Sequence, residues 1–511
     1  MSWRGIVRDA YLSLPERVQV FDTTLRDGEQ TPGVSLRRDE KVAIGRALAE
    51  LGVAVIEAGY PAVSKGEFES VREVSRLGLG SKVCALARCD RRDIDQAVDA
   101  GVDWVHVFIA TSEIHMTHKL KMTPEQVYQT AIECVEYARS RGVEVHFSCE
   151  DATRSERSFL LKVYKGAAEA GAHSLDIPDT VGVAIPLVMR ELARSVRAAT
   201  GLPVAVHCHD DMGLATANTI AGVEGGAEIV HVTINGIGER AGNASLEEVV
   251  VALKYLYGID SGIDLNRLAS VSRMVASFTG MQVQKNKAIV GDHAFSHESG
   301  IHVHGIINNP YTYEPIMPEV VGKRRRIVVG KHSGTHAVME VLKQHGFEVS
   351  FEEGKRVLSK VKDYADNGLR LTEHLLLRLV RDDPKLVSAQ PFEVVSFRIG
   401  VDDNGFSSDI EVHVKGESIR GEGRGTSSVA ASIEAVKNVI SRVLGPIDVA
   451  EYSVYVPPNP DRYPAEAEAL VRFNGVTLVG RGLAHDPALA VAMAIGGAVS
   501  QALAEKGGHV K

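Results

Sequence analysis

From Val18 to about Tyr257, short β-branched or apolar runs alternate with longer stretches whose apolar positions recur at helical spacing. The runs predict strands at 18–22, 53–58, 82–87, 103–108, 143–148, 173–177, 203–208 and 228–234. The stretches between and after them predict helices near 37–51, 65–77, 91–99, 124–141, 154–171, 185–199, 213–225 and 246–257. Gly52, Gly142, Gly171 and Gly201 stand where a helix would close just before the next strand, a place for the left-handed backbone that glycine adopts freely. Eight strand-then-helix units in succession predict an α/β fold, a (β/α)₈ TIM barrel over residues 1–285; a doubly wound sheet is the competitor.

The pattern then changes twice. Residues 258–390 read as mostly helical and charged, interrupted by a His- and Gly-rich stretch from Asn286 to Gly305, and 286–390 suggest lid and linker subdomains. From 391 to 511 the chain turns β-rich and predicts an α+β C-terminal domain with an internal duplication. Val414, Gly416, Ile419, Gly421, Gly423 and Ala431 return 59 residues later as Phe473, Gly475, Leu478, Gly480, Gly482 and Ala490. Each copy reads as strand, glycine turn, strand and small-residue helix, and such a module is commonly a binding or dimerising unit.

Composition narrows the partners. Hydrophobic residues make up 44% and charged residues 24% of the 511, ordinary values for a globular protein. The net charge is −9 and the only basic run is Lys323 to Arg326, which argues against nucleic acid. An anionic substrate must therefore be met by local cations or a metal. Cysteines 84, 89, 134, 149 and 208 are odd in number and form no Cys-x-x-Cys pair, so a reducing cytoplasm is expected. The N-terminus, Met1 to Asp9, lacks a long apolar core, and neither a signal peptide nor a membrane span is predicted.

Sites on such barrels lie at the carboxyl ends of the strands. There the map puts Asp27, Glu57, Ser148, Glu150, Pro178, Thr180, His207, His209 and the segment Asn235 to Asn243, with His106 in strand four. Side chains at i and i+2 of a strand share a face, so His207 and His209 can converge on one point. A carboxylate beside them, Asp27, completes a His/His/Asp set that holds a divalent cation and leaves positions open. His231 reads as packing in strand eight. Gly236 to Ala241 superficially matches a dinucleotide fingerprint, but its setting lacks a Rossmann unit and it reads as a tight turn presenting Asn243. Arg26 suits a bidentate carboxylate clamp, and a salt bridge in the barrel mouth is its structural alternative. Glu150 suits proton transfer, or an ion network with Asp151 and Arg154. His297, His302 and His304 suggest a mobile segment that brings a base to the metal pocket.

The segments Phe21 to Gln30 (FDTTLRDGEQ), His207 to Asp211 (HCHDD), Asn235 to Asn243 (NGIGERAGN) and His297 to His302 (HESGIH) resemble the 2-isopropylmalate, homocitrate and citramalate synthase family. The 59-residue repeat resembles the regulatory domain of its isopropylmalate and citramalate members. The resemblance implies Asp27, His207 and His209 as ligands of a divalent ion (Mn²⁺ first, Mg²⁺ or Zn²⁺ as alternatives), with Asn243 a fourth or outer ligand. It implies Arg26 on the 2-oxo acid carboxylate, and substrate contacts from His106, Ser148, Glu150, Pro178 and Thr180. It further implies His302 as base with Tyr313 nearby, acetyl-CoA as co-substrate, leucine as allosteric inhibitor and a homodimer. Residues 56–66, 108–115, 147–151 and 177–182 are similar to the isopropylmalate synthase branch, which implies 2-oxoisovalerate as substrate. Asp176 departs from that pattern, which more often has Asn; a charge there is unfavourable beside an anionic substrate unless paired or protonated. A metal-dependent lyase or aldolase on a similar barrel is the rival of a different reaction class, and a non-catalytic amino-acid-binding protein the third reading.

Overall fold

The structure is a computed structural model. It describes residues 14–344, 347, 349–366, 376, 377, 379, 380, 392–403, 405–414, 417–456, 464–473 and 475–507, the last seven by backbone only. The predicted absence of a signal peptide, read from Met1 to Asp9, lies outside the described residues. Two compact units divide the chain: Met1–Phe295 with Ile316–Arg324, and Ser296–Pro315 with Arg325–Lys511.

The first unit is a closed parallel barrel in sequential order. Its strands are β1 (Gln19–Asp22), β2 (Val55–Glu57), β3 (Lys82–Arg88), β4 (Trp104–Ala110), β5 (Glu144–Glu150), β6 (Ser174–Asp179), β7 (Val204–Cys208) and β8 (Ile229–Val232). β8 pairs back onto β1, with Phe21 opposite His231, and so leaves no open edge. All of β6 and β7 is buried, because helices cover the outside while side chains fill the inside. The predicted helices form, and some of their starts are capped by side chains: Ser64 Oγ accepts from Glu67 N and Thr123 Oγ1 from Gln126 N. Gly52, Gly142, Gly171 and Gly201 all have positive φ, as their positions after helices require. One boundary shift moves a candidate site residue. β6 runs on to Asp179, so Pro178 lies within the strand, paired in register with His207, and does not follow it.

The second unit begins with the short parallel pair β9 (Ser296–His297) and β10 (Arg326–Ile327) and the helix Gly300–Asn308. Helices Thr335–Gln344 and Phe351–Asp366 pack through Val338, Val341, Leu342, Val357 and Val361. Two antiparallel three-stranded sheets follow. One is β11 (Phe392–Asp402), β12 (Gly405–Val414) and β13 (Glu417–Gly425); the other is β14 (Asp448–Tyr455), β15 (Ala465–Phe473) and β16 (Val476–Ala484). Each ends in a helix, Ser428–Leu444 or Pro487–Gly507. The duplicated unit thus carries a leading strand, β11 or β14, that the repeat did not reveal. A Cβ on Gly421 or Gly423 would collide with Ala435 or Ala431 of the first helix, and one on Gly480 or Gly482 with Ala494 or Ala490 of the second. The repeated Gly-x-Gly is where each helix backbone lies directly on its strand. Among the described residues, no helix is long and apolar enough to cross a membrane.

Candidate metal centre and active site

Strand ends and the loops after them bring Asp27, His207 and His209 together inside the barrel mouth. Nε2 of His207 lies 3.2 Å from Nε2 of His209, and the two lie 3.2 and 3.6 Å from Asp27 Oδ2. A cation with bonds near 2.1 Å spaces neighbouring ligand atoms about 3.0 Å apart in an octahedron and about 3.4 Å in a tetrahedron. The three atoms fit that spacing. Burial works against the Asp27 charge, but Arg26 and the two imidazoles outweigh it and hold the carboxyl well below the usual carboxylate range. Burial, then the neighbouring His207, pushes His209 down to about 4, which keeps the imidazole neutral as a ligand must be. His209 Nδ1 and Asn243 Oδ1 are buried without a hydrogen-bond partner among the described residues. Asn243 Nδ2 donates to Asp27 Oδ2 at 2.9 Å, so this amide orients the carboxylate and keeps its oxygen available. The loop carrying it turns sharply, with positive φ at Asn235, Gly236, Arg240 and Gly242. The donor set suits a hard or borderline divalent ion.

A second chain of polar groups starts beside this cluster. Arg26 Nε donates to Glu57 Oε2 at 2.7 Å, and Arg26 Nη1 lies 3.5 Å from Asp27 Oδ1. Thr23 Oγ1 donates to the same Glu57 oxygen, and His106 Nδ1 lies 2.7 Å from the other. His106 Nε2 reaches Ser148 Oγ at 2.5 Å, and Ser148 Oγ donates to Asp176 Oδ2 at 2.6 Å. Burial opposes ionisation of Glu57, but Arg26 and His106 prevail and hold it ionised, below its ordinary value. For Asp176 burial prevails and raises the pKa, while its Oδ1 has no hydrogen-bond partner among the described residues. The departure at Asp176 therefore sits in surroundings that favour its neutral form. A cleft of about 490 Å³ opens beside Arg26, lined by Gln30, Val34, Tyr60 and Val63 among others.

Glu150 lies at the end of β5, its carboxylate gripped by Lys119 Nζ at 2.6 and 2.8 Å. The sequence reading paired Glu150 with Asp151 and Arg154; instead Arg154 Nε bonds both oxygens of Asp151, at 2.9 and 3.0 Å. Thr180 Oγ1 accepts from Asp151 N at 2.9 Å and so ties the loops after β5 and β6. His302 and Tyr313 belong to the second unit, where their rings stack with centroids 4.1 Å apart. In the same unit the buried Glu314 receives Arg325 Nε at 2.7 Å, and His297 Nε2 lies 3.2 Å from it.

His231 is where packing was an incomplete account. Its ring stacks on Phe21 at 3.9 Å, yet Nδ1 lies 3.3 Å from His207 Nδ1 and Nε2 lies 3.0 Å from His146 Nε2. Parallel register carries the missed signal, since His207 pairs with His231, and His106 with His146, on adjacent strands. His106, His146 and Asp176 also bring ligand-type atoms within 4.8 Å of one another. Every ring nitrogen of those two histidines already has a hydrogen-bond partner, which makes this second group a polar network.

Residues 17–275 match the family described as HMGL-like, 289–369 the homocitrate synthase post-HMGL domain-like family, and 370–503 the LeuA allosteric (dimerisation) domain. A probable 2-isopropylmalate synthase of Methanopyrus kandleri is 48% identical over 93% of this chain and 96% of its own length. Its counterpart in Ignicoccus hospitalis is 55% identical over 72% of this chain and 92% of its own. An (R)-citramalate synthase of Methanocaldococcus jannaschii is 46% identical over 86% of this chain and 89% of its own.

Proposed function

Because the chain belongs to the HMGL-like family, among the isopropylmalate, homocitrate and citramalate synthases, we propose that it is a 2-isopropylmalate synthase. It is a metal-dependent acyltransferase that joins acetyl-CoA to 2-oxoisovalerate, releases CoA and commits carbon to leucine. The observation that carries this reading is the Asp27, His207 and His209 cluster in a chain alignable with an isopropylmalate synthase over 93% of its length.

In the proposed mechanism Asp27, His207 and His209 hold the divalent ion, Mn²⁺ in our reading, with Asn243 as a further or outer ligand. When bound, the ion supplies Lewis-acid polarisation of the substrate's keto oxygen. Arg26 grips the oxo-acid carboxylate and, already braced by Glu57, needs little reorganisation to do so. His106, Ser148, Glu150, Pro178 and Thr180 contact substrate, and burial, by raising the Asp176 pKa, works against a second negative charge beside the anionic substrate. His302, with Tyr313 stacked on it, takes a proton from the acetyl methyl group so that the enolate can attack the keto carbon. Glu150 shuttles a proton as the thioester is hydrolysed.

The same proposal divides the chain into a catalytic barrel at 1–285, lid and linker subdomains at 286–390 and a regulatory domain at 391–511. It makes the enzyme a cytoplasmic homodimer inhibited by leucine, consistent with the dimerisation-type module at 370–503. The test is thiol release from acetyl-CoA with Mn²⁺ or Mg²⁺, comparing 2-oxoisovalerate, pyruvate and 2-oxoglutarate, each with and without leucine. Activity concentrated on 2-oxoisovalerate and suppressed by leucine is the expected result. A preference for pyruvate or 2-oxoglutarate overturns the substrate assignment and keeps the chemistry. No CoA release with any oxo acid overturns the synthase reading and returns the cleavage alternative.

A further inference from the structure

Three buried histidines stand in a line that the mechanism above does not use beyond its first member. His207 Nδ1 lies 3.3 Å from His231 Nδ1, His231 Nε2 lies 3.0 Å from His146 Nε2, and His146 Nδ1 lies 2.7 Å from Ser174 Oγ. His231 is 1% exposed and His146 and Ser174 not at all, so solvent does not compete for these bonds. Phe21 stacks against both inner rings, at 3.9 Å from His231 and 5.2 Å from His146, and holds their planes. The nearest carboxylate oxygen to His231 Nδ1, on Asp176, is 3.9 Å away and too far to replace His207 as its partner.

We propose that His231 and His146 are positioning residues for the metal: through a one-way hydrogen-bond relay they fix the tautomer and orientation of His207. The inference rests on the reading of Asp27, His207 and His209 as ligands. The argument is one of proton counting. Nε2 of His207 faces Asp27 and His209, so as a ligand it must offer its lone pair, and the ring's proton then sits on Nδ1. That proton is donated to His231 Nδ1, which leaves the His231 proton on Nε2. His231 Nε2 donates in turn to His146 Nε2, and His146 Nδ1 donates to Ser174 Oγ. A second proton on either inner ring would set donor against donor. Without a cation the line has two self-consistent directions, and a bound cation selects one of them. An imidazole that donates its distal N–H to a fixed acceptor is a more basic and better oriented ligand, and losing such a partner typically costs 10–100-fold in metal affinity.

The test compares Co²⁺ and Mn²⁺ binding to the metal-free full-length protein by chelator competition, together with the visible spectrum of the Co²⁺ form. His231→Phe keeps the ring stacked on Phe21 but removes the acceptor. It is expected to bind Co²⁺ roughly 10–100-fold more weakly, with a shifted spectrum. His231→Asn places an amide oxygen near the Nδ1 position and is expected to restore most of the affinity. Should His231→Phe fail to melt cooperatively, His146→Phe takes its place, with a smaller loss of several-fold expected. Unchanged affinity and spectrum in a folded His231→Phe or His146→Phe overturn the relay, as does His231→Asn binding no better than His231→Phe. His209→Ala serves as the control. If it still binds metal as tightly as the unaltered protein, the ligand assignment itself is wrong; if it loses metal while His231→Phe does not, only the relay is.

Discussion

The barrel and the duplicated C-terminal module fill their interiors in opposite ways. Inside the barrel Asp27, Glu57, His106, His146, Asp176, His207 and His231 are all buried, and each is tied to others by hydrogen bonds or ion pairs. Among the described residues of the module the buried polar side chains are Ser408 and Ser432; the rest is Ala, Val, Ile, Leu and Phe against glycine. Ser432 Oγ donates to Ala488 O, so even this polar group joins the two copies. Burying charge is costly and persists only where partners compensate it. The barrel therefore holds a polar interior suited to chemistry, while the module uses its interior for backbone-close packing of helix on sheet.

The comparison breaks most visibly at the ligand cluster. His209→Ala should abolish metal retention and turnover together, by at least about 10³-fold in activity, with the barrel still folded. Metal content by atomic emission checks it; full occupancy with lost activity would reassign His209 to substrate. His302→Ala is the sharper partner of that test. Metal content should stay whole while kcat falls by about 10²–10⁴-fold, the usual worth of a positioned base. Normal turnover would remove His302 from the mechanism.

The module should respond through stability. Gly482→Ala puts a Cβ onto the backbone oxygen of Ala490, and Gly423→Ala does the same to Ala431. Overpacking of this kind costs about 1–3 kcal/mol. Either change should lower the melting temperature and weaken leucine inhibition, with leucine-free turnover held within about threefold. An unchanged melting temperature in both would mean that the helices shift freely over their sheets, against the packing account.

These two regions were also legible in the sequence to different depths. Strand and helix periods in the barrel were readable because apolar runs of four to eight residues alternate with helical patterns, and most boundaries fall within two residues. The His-x-His spacing fixed the faces of His207 and His209 through strand geometry alone. What stayed hidden was partner choice. Lys119 takes Glu150 from the short helical segment Met116–Leu120 after β4, which no local spacing announces. The His207–His231 step depends on the register of β7 with β8, and the His231–His146 step on contact between inward-facing rings of strands that do not pair. In the module the Gly-x-Gly repeat was readable since close packing demands it twice. β11 and β14 were not, because they answer to cross-strand contacts and carry no shared motif.

A smaller effect concerns a single buried carboxyl of the first unit. Asp22, at the end of β1, is buried and accepts from Thr24 N at 2.9 Å and Thr24 Oγ1 at 3.0 Å. Burial pushes its pKa from 3.8 up to about 7 against those two bonds, with Glu247 and Glu57 adding to the rise. Asp27 and Glu57, beside Arg26, are moved the other way. The folded state thus binds the Asp22 proton more tightly than the unfolded chain does. Its contribution to stability is complete below pH 3.8 and is lost as pH rises through about 7. Asp22→Asn carries no proton to lose, so the variant should gain stability relative to the unaltered protein between pH 5 and 8, by roughly 1–3 kcal/mol at pH 8. Chemical denaturation across that range reads the difference. A gain that grows with pH fits a carboxyl kept neutral by its surroundings. Two parallel curves would mean that Asp22 stays ionised throughout, and that the barrel pays for one more buried charge than its visible partners explain.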